Sequence, residues 1–577
     1  MATETSSPQR EQTPSGAGFP SGLPQKRALE DDHSPAVSSP LNPDVKPAQK
    51  VQVQAPEDSQ TNMSREKRTK KDSLKKREAK GAGSGGPDSS RATPDRKVHK
   101  DLPADELAPL RYKLAPPKPS DFEPSRGPVF AGHHEEKDPE GRTIEFLETL
   151  EHVYNKKNFH YTHCIADPSF PSSFYYRQTE PEPHGAHMSF EDSASHIFFD
   201  QSAKHLTTDK GFRMTRANVA IREGRWYWEC KITRGILKQR GEGDPESHGH
   251  VRVGFARREA SLDAPVGFDA YSYGIRDVAG QKVHMSRPKD FFPPGEDLRE
   301  GDVIGLEMQL PSIRLHRKVV QGQYNPAVDL MEEESDPKPE AGNIVRDRIP
   351  IRFKQHIYFE KIDYHTTKEL EDLMNPSPTS STGSGGASAP PNPHHPLVPL
   401  RTLPNSHIKV YKNGALMGSP WTDLLSFLPP ASRMVQQPPG RDSLDDGSLG
   451  YYPAVSVFRG GAVEVNFGPQ FWYPPPGFEG HKASGEDVDM VDANGAEPQA
   501  SSQLKLGKAS HNLKPLSDRY DEQIVEDIVY DIIDEVGFLA QDSWRVKDRS
   551  GKDDKVSEAP GMAPGAREEI KELVQDD

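Results

Sequence analysis

Cysteine is almost absent: Cys164 and Cys230 are the only two in 577 residues. Two thiols cannot build a disulfide framework, a Cys-rich zinc finger or a RING, and their scarcity fits a reducing compartment. Long apolar runs are missing too. No stretch approaches the roughly 18 apolar residues of a membrane span, and the opening MATETSSPQREQTPSG lacks the apolar core of a secretory leader. The expectation is a soluble intracellular protein. Apolar residues make up 33% of the chain against 55 prolines and 46 glycines, so much of its length cannot enter a packed core, and one domain with long linkers is expected. Positive charge is in deficit, 73 Lys and Arg against 88 Asp and Glu for a net charge of −15. That excludes a protein that coats nucleic acid with its whole surface and restricts any such contact to a local basic arm.

Signs of catalysis are equally sparse. GAGSGG from Gly81 and TGSGGAS from Thr382 have glycine spacings of phosphate loops, yet neither follows a strand or opens a helix, so both read as linker. The pairs His248/His250, His133/His134 and His394/His395 lack further ligands at metal-site spacing. No nucleophile, base and cofactor site converge in the sequence, so no catalytic residue, metal or cofactor is assigned.

What is present falls into segments. Residues 1–105 are rich in Ser, Pro, Gln, Lys and Glu with almost no aromatics, and burial cannot offset the entropy of ordering them. Inside this arm, residues 64–80 carry nine Lys/Arg against three acids, with Lys70, Lys71, Lys75, Lys76 and Arg77 at the centre. They read either as a nuclear import signal or DNA-phosphate contact, or as a solvated charge run. Residues 106–189 form a lead-in, including NFHYTHCIADPSFPSSFYYRQ, an extended, proline-punctuated run expected to pack along the domain.

From residue 190 to 476 the pattern is strand-like. In WYWECKI, Trp226, Trp228, Cys230 and Ile232 alternate with Tyr227, Glu229 and Lys231, and the same period marks Val251/Val253/Phe255, Ile304/Leu306/Met308/Leu310 and Val463/Val465/Phe467. Short runs separated by Gly and Pro turns, with Asn413-Gly414 and Gly460-Gly461 as tight hairpin turns, predict an all-β antiparallel sandwich. Polar stretches near 236–248, 332–345, 376–405 and 430–448 read as surface insertions. Arg252 alternates away from the apolar set, and Arg276 follows the aromatic cluster Phe268, Tyr271 and Tyr273. An Arg-rimmed aromatic shelf suits an acidic-hydrophobic peptide; Tyr271 and Tyr273 read better as core.

A linker at 477–516 leads to an amphipathic helix at 517–544, with 545–577 a disordered tail. At 100° per residue, Ile524, Val525, Ile528, Val529, Ile532, Ile533 and Val536 cover about half the circumference. Glu526, Asp527, Asp531 and Asp534 take the rest, and Gly537 is placed to close the helix. Nothing near in sequence can bury so wide a stripe. It either packs back on the sandwich or inserts into a groove on another protein.

The strands GRWYWECKI, VRVGFA, APVGFDAYSYGIR, GDVIGLEMQLP, IKVYKNG and GAVEVNFGPQFWYPPP resemble a SPRY β-sandwich. GFARREASLDAPVGFDAYSYGIRDVAGQKVH, the ending VEVNFGPQFWYPPP and the C-terminal helix together resemble the Ash-two/Bre-two family, over about residues 190–475 and 520–540. That resemblance implies a non-catalytic subunit of a COMPASS-type, nuclear complex that methylates lysine four of histone H3. It implies a WD-repeat partner related to retinoblastoma-binding protein five, bound through Phe212, Arg252, Pro265, Phe268 and Arg276. It further implies a Dpy-thirty-like dimer bound through Val525, Val529, Ile532, Ile533 and Val536, a SET-domain methyltransferase stimulated by the assembly, and a nucleosome reached through the complex. The zinc finger of animal members is absent, as in the shorter fungal form. Val278 replaces a patch lysine, so the patch is either less positive or leans on Lys282, and Phe212 and Phe268 replace tyrosines, keeping stacking without the hydroxyls. A SPRY sandwich also serves ubiquitin-ligase adaptors, which usually add a RING or a box-type helical motif; this chain has no cysteines for a RING.

Overall fold

The computed structural model describes residues 117–156, 158–167, 176–239, 241, 244–335, 344–346, 349–376, 389–435, 444–478, 512–548 and 571–572. The basic cluster at Lys70, Lys71, Lys75, Lys76 and Arg77 lies outside them, as does the arm around it.

Two antiparallel sheets face one another. The first runs through Phe198–Phe199, His205–Thr207, Ala462–Asn466, Gly224–Arg234, Val303–Leu310, His407–Lys412 and Ala415–Thr422. The second orders Arg287–Lys289, Lys282–His284, Ser272–Arg276, His250–Ala256, Tyr452–Phe458, Arg213–Ala217 and Met188–Ser193. The alternating residues of the inner faces interdigitate as in any aligned sandwich. Trp228, fully buried, stacks on Phe467 at 5.8 Å and meets Phe255 edge-on at 6.2 Å. The fold is an all-β antiparallel sandwich.

The polar rows of Gly224–Arg234 are buried as well. Tyr227, Glu229 and Lys231 are covered by the run after Phe467: Trp472 N and Tyr473 N donate to the Glu229 carboxylate at 2.7 and 2.9 Å, and Lys231 Nζ lies over the Trp472 ring. Gly305 is required beneath this cover, because a Cβ there would come within 2.0 Å of the Tyr227 hydroxyl. Glu307, fully buried, accepts from Arg225 at 2.6 Å, Tyr411 at 2.9 Å and Lys409 at 3.1 Å and lies 3.4 Å from His407 Nε2; burial raises its pKa, but His407, Arg225 and Tyr411 outweigh it and hold the carboxyl far below the usual range.

Several sequence expectations are corrected. The lead-in is not merely extended chain: Val129–Lys137 and Thr143–Leu150 form a hairpin on the edge of the first sheet, and Phe159–Ala166 pairs with His356–Ile362 in a separate small sheet. Part of the 376–405 stretch belongs to the body, since Leu400 and Leu403 are buried and Arg401 donates to Val319 O and Val320 O at the end of the helix Ile313–Gln321. Likewise Ser432 of the 430–448 stretch is buried against Glu259 and Arg257. The helices Ile313–Gln321, Pro326–Ser335 and Lys368–Met374 were not anticipated. The linker's end is docked, Lys514–Pro515 pairing in parallel with Trp226 and Tyr227. In the tail, Lys571–Glu572 pairs with Ile351 and Arg352.

His205 sits between Asp200 and Glu464, its ring nitrogens 3.3 and 3.6 Å from their oxygens. Burial opposes its charge, but the two carboxylates outweigh it and raise the pKa to about 9. Because the folded pKa exceeds the unfolded value of about 6.5, this stabilisation is fully present below that pH and is lost as pH rises through about 9. Thermal melts across pH 6–10 should show a decline that His205→Gln removes; an identical decline in the variant would overturn the assignment.

Candidate partner surfaces

On the outer face of the second sheet, register sets Arg252 opposite Arg276 on one side and Ser456 on the other. Strand alternation puts all three away from the core rows Val251/Val253 and Val455/Val457. The Arg252 guanidinium lies 4.9 Å from the Phe212 ring centroid, a cation–π contact. Pro265 is buried on a loop that crosses the same face: the next residue, Val266, donates its N–H to Ser456 Oγ at 3.0 Å. Gly274 is needed under this crossing, since a Cβ would meet Val266 O at 2.7 Å. The turn continues with Phe268 N donating to Pro265 O at 3.0 Å, and half-buried Phe268 is fastened through its carbonyl to Ser286. Phe212, Arg252 and Arg276 are thus contiguous, Pro265 adjoins them, and Phe268 sits at the loop's other end.

Three neighbours escaped the sequence reading. Phe458 packs on Phe212 at 4.8 Å and Arg459 lies over Phe458 at 5.1 Å. His250 is 3.0 Å from Asp277 Oδ2, and that hydrogen bond raises its pKa against burial and the charges of Arg276 and Arg252. The alternation of Ala454, Ser456 and Phe458 against Val455 and Val457 is the signal that would have found Phe458. Lys282 does not substitute for the missing patch lysine: it pairs with Ile275 rather than Arg276, and its Nζ donates to Pro420 O at 2.7 Å. Tyr271 and Tyr273 are both in the core.

The C-terminal helix spans Leu516–Asp548, longer at both ends than expected and running through Gly537. Its amphipathicity is used in an unexpected sense, because the polar face packs on the body. Arg519 Nε donates to Ala220 O at 2.9 Å and Gln523 Nε2 to Asn218 O at 3.2 Å; Arg346 pairs with Asp531 at 2.8 Å and lies over the Tyr530 ring. Leu516 alone enters the main core at this end, with Tyr520 packed partly against it. Val525, Val529, Ile532, Ile533 and Val536 face outward, 48–61% exposed. A contiguous exposed aliphatic face of this kind is a candidate interaction surface.

The candidate histidine pairs do not gather ligands. His133 stacks on Phe198, His394 on Tyr324, and His248 approaches Glu300.

These features amount to a β-sandwich that carries an arginine–aromatic patch on one sheet face and an exposed aliphatic face on its C-terminal helix, two candidate partner surfaces. No protein-family model matches the chain. It is 62% identical to "COMPASS component cclA" of Colletotrichum higginsianum over 100% of both chains. It is 36% identical to "Set1 complex component ash2" of Schizosaccharomyces pombe, over 74% of this chain and 52% of that one, and 27% identical to "COMPASS component BRE2" of Saccharomyces cerevisiae, over 71% and 92%. The chain belongs to the Ash-two/Bre-two family of COMPASS components. A solved human SPRY domain aligns with 48% of this chain and 98% of its own at 14% identity and a TM-score of 0.22.

Proposed function

We propose that this chain is the non-catalytic scaffold subunit of a COMPASS-type complex in the nucleus, which methylates lysine four of histone H3. The outer face around Arg252, Arg276 and Phe212, with Pro265 and Phe268, receives an acidic-hydrophobic segment of a WD-repeat subunit related to retinoblastoma-binding protein five. The outward face of the C-terminal helix seats in the groove of a Dpy-thirty-like dimer. The resulting assembly orders and stimulates a SET-domain subunit, and the nucleosome is reached through the complex. Methyl transfer from S-adenosylmethionine belongs to the SET subunit, and this chain contributes binding and orientation.

The observation that carries this reading is the pairing of Arg252 with Arg276 across the strands, beside the Phe212 ring. Two guanidinium groups at one register position suit carboxylates, which they grip by charge-assisted, bidentate hydrogen bonds, while the ring offers an apolar seat. Titration of the acidic partner segment into Arg252→Ala should show binding weakened by about 1.5–3 kcal/mol, or roughly 10- to 150-fold. Unchanged affinity would sink the assignment of Arg252.

A further inference from the structure

Away from both partner surfaces, three metal-type side chains converge where the small sheet meets the sandwich. His152 follows the strand Thr143–Leu150, His163 lies in Phe159–Ala166, and Glu191 lies in Met188–Ser193. Both imidazoles are more than nine-tenths buried, and one donor atom from each of the three residues falls within 4.8 Å of the others. Glu191 Oε1 is 2.7 Å from His163 Nε2 and 3.2 Å from His152 Nε2. The His152 atom, though buried and aimed at the carboxylate, makes no aligned hydrogen bond.

The surrounding groups orient these donors. His163 Nδ1 is 3.0 Å from Ser125 Oγ, which could accept from Nδ1–H and so free the Nε2 lone pair for an ion; without an ion, Nε2–H donates to Glu191 Oε1. Ser189 Oγ donates to Glu191 Oε2 at 3.0 Å, leaving Oε1 to point between the rings. His163 and Glu191 also line a cavity of about 320 Å³, large enough to admit water.

We propose that His152 Nε2, His163 Nε2 and Glu191 Oε1 bind a zinc-like divalent cation, with water from the cavity completing a tetrahedron. Two imidazoles and one carboxylate form a donor set suited to that ion. Bonds of about 2.0–2.1 Å put tetrahedral donors roughly 3.3 Å apart, close to the 3.2 Å already separating His152 from Glu191. Small side-chain rotations move the carboxylate oxygen from between the rings to the side of the ion. The ion's role is structural, clamping the hairpin's exit and the small sheet to the sandwich. Sequence spacing hides it because the three ligands come from three separate segments.

The test uses the purified full chain, stripped with chelator, desalted and re-equilibrated with Zn²⁺. Elemental analysis after gel filtration should find one zinc per chain, and zinc should raise the Tm. Glu191→Gln keeps the size and an acceptor for Ser189, so it should fold, but it should bind zinc at least about tenfold more weakly. His152→Asn should lose the zinc-dependent Tm rise. If the wild type retains no zinc and its Tm ignores it, the cluster is a hydrogen-bonded His–Glu group only and the proposal fails. Equal zinc retention by wild type and both variants would place the ion elsewhere and also overturn it.

Discussion

Val529→Glu should abolish capture of a Dpy-thirty-like dimer while leaving the chain's own stability within about 0.5 kcal/mol of wild type. Val529 is 48% exposed on the outward face of the helix, flanked by Val525, Ile532 and Ile533, so a carboxylate there remains solvated in the free chain. In an apolar groove the same charge has no partner, and its desolvation costs at least about 3 kcal/mol, more than a hundredfold in affinity. Pull-down with the purified dimer, alongside calorimetry of the free chain, separates the outcomes. Undiminished capture would mean that the dimer is held elsewhere. Early melting would mean that Val529 supports the chain's own fold.

The largest stability effect is expected at Asp192. Its carboxylate accepts from Arg216 Nε and Nη2 at 2.7 and 2.6 Å, from Arg258 Nη1 at 3.1 Å and from Asn155 Nδ2 at 2.9 Å, all but out of reach of water. Burial disfavours the charge, yet the two guanidinium groups prevail and drive the pKa far below the normal carboxylate range. Asp192→Ala leaves Arg216 and Arg258 buried without this counter-charge, a loss of about 3–5 kcal/mol and a fall in Tm on the order of 10 °C. Asp192→Asn should recover part of the loss by keeping an oxygen acceptor. A Tm within 2 °C of wild type for the alanine variant, roughly the effect of an ordinary surface change, would show that Asp363 or water replaces the carboxylate.

Much of the sandwich was legible because its inner rows obey the two-residue period: Trp228, Val253, Leu306 and Val465 are all buried. The outer rows were not. Alternation put Tyr227, Glu229 and Lys231 on the face away from the core without saying what covers it; the cover is a segment more than two hundred residues later, a long-range contact no local pattern encodes. The same reason hid the small sheet: Phe159–Ala166 precedes the sandwich strands, while its partner His356–Ile362 is inserted between Val303–Leu310 and His407–Lys412. The 376–405 stretch looked like insertion because glycine, serine and proline dominate it, while the few apolar residues that anchor it, Leu400 and Leu403, are too sparse to show a period. At the arginine patch, alternation isolated Arg252 correctly, but only pairing register brings Arg276 and Ser456 beside it. The helix's stripe was plain in the sequence. That its acidic side would be the docked side was not, because Arg346, which meets Asp531, lies far from it in the chain.

That polar docking has a mechanical consequence. A recognition helix on a slack tether brings its partner near the body only at the effective concentration the tether allows. Here Arg519, Gln523 and Arg346 hold the helix directly against the sandwich. A protein seated on its aliphatic side is therefore carried at a set distance and orientation from whatever occupies the arginine patch. If both proposed surfaces are occupied, the chain is a gauge block between two clients: their spacing is written into the packing of one helix, and loosening the Arg346 contacts would blur that spacing without touching either surface.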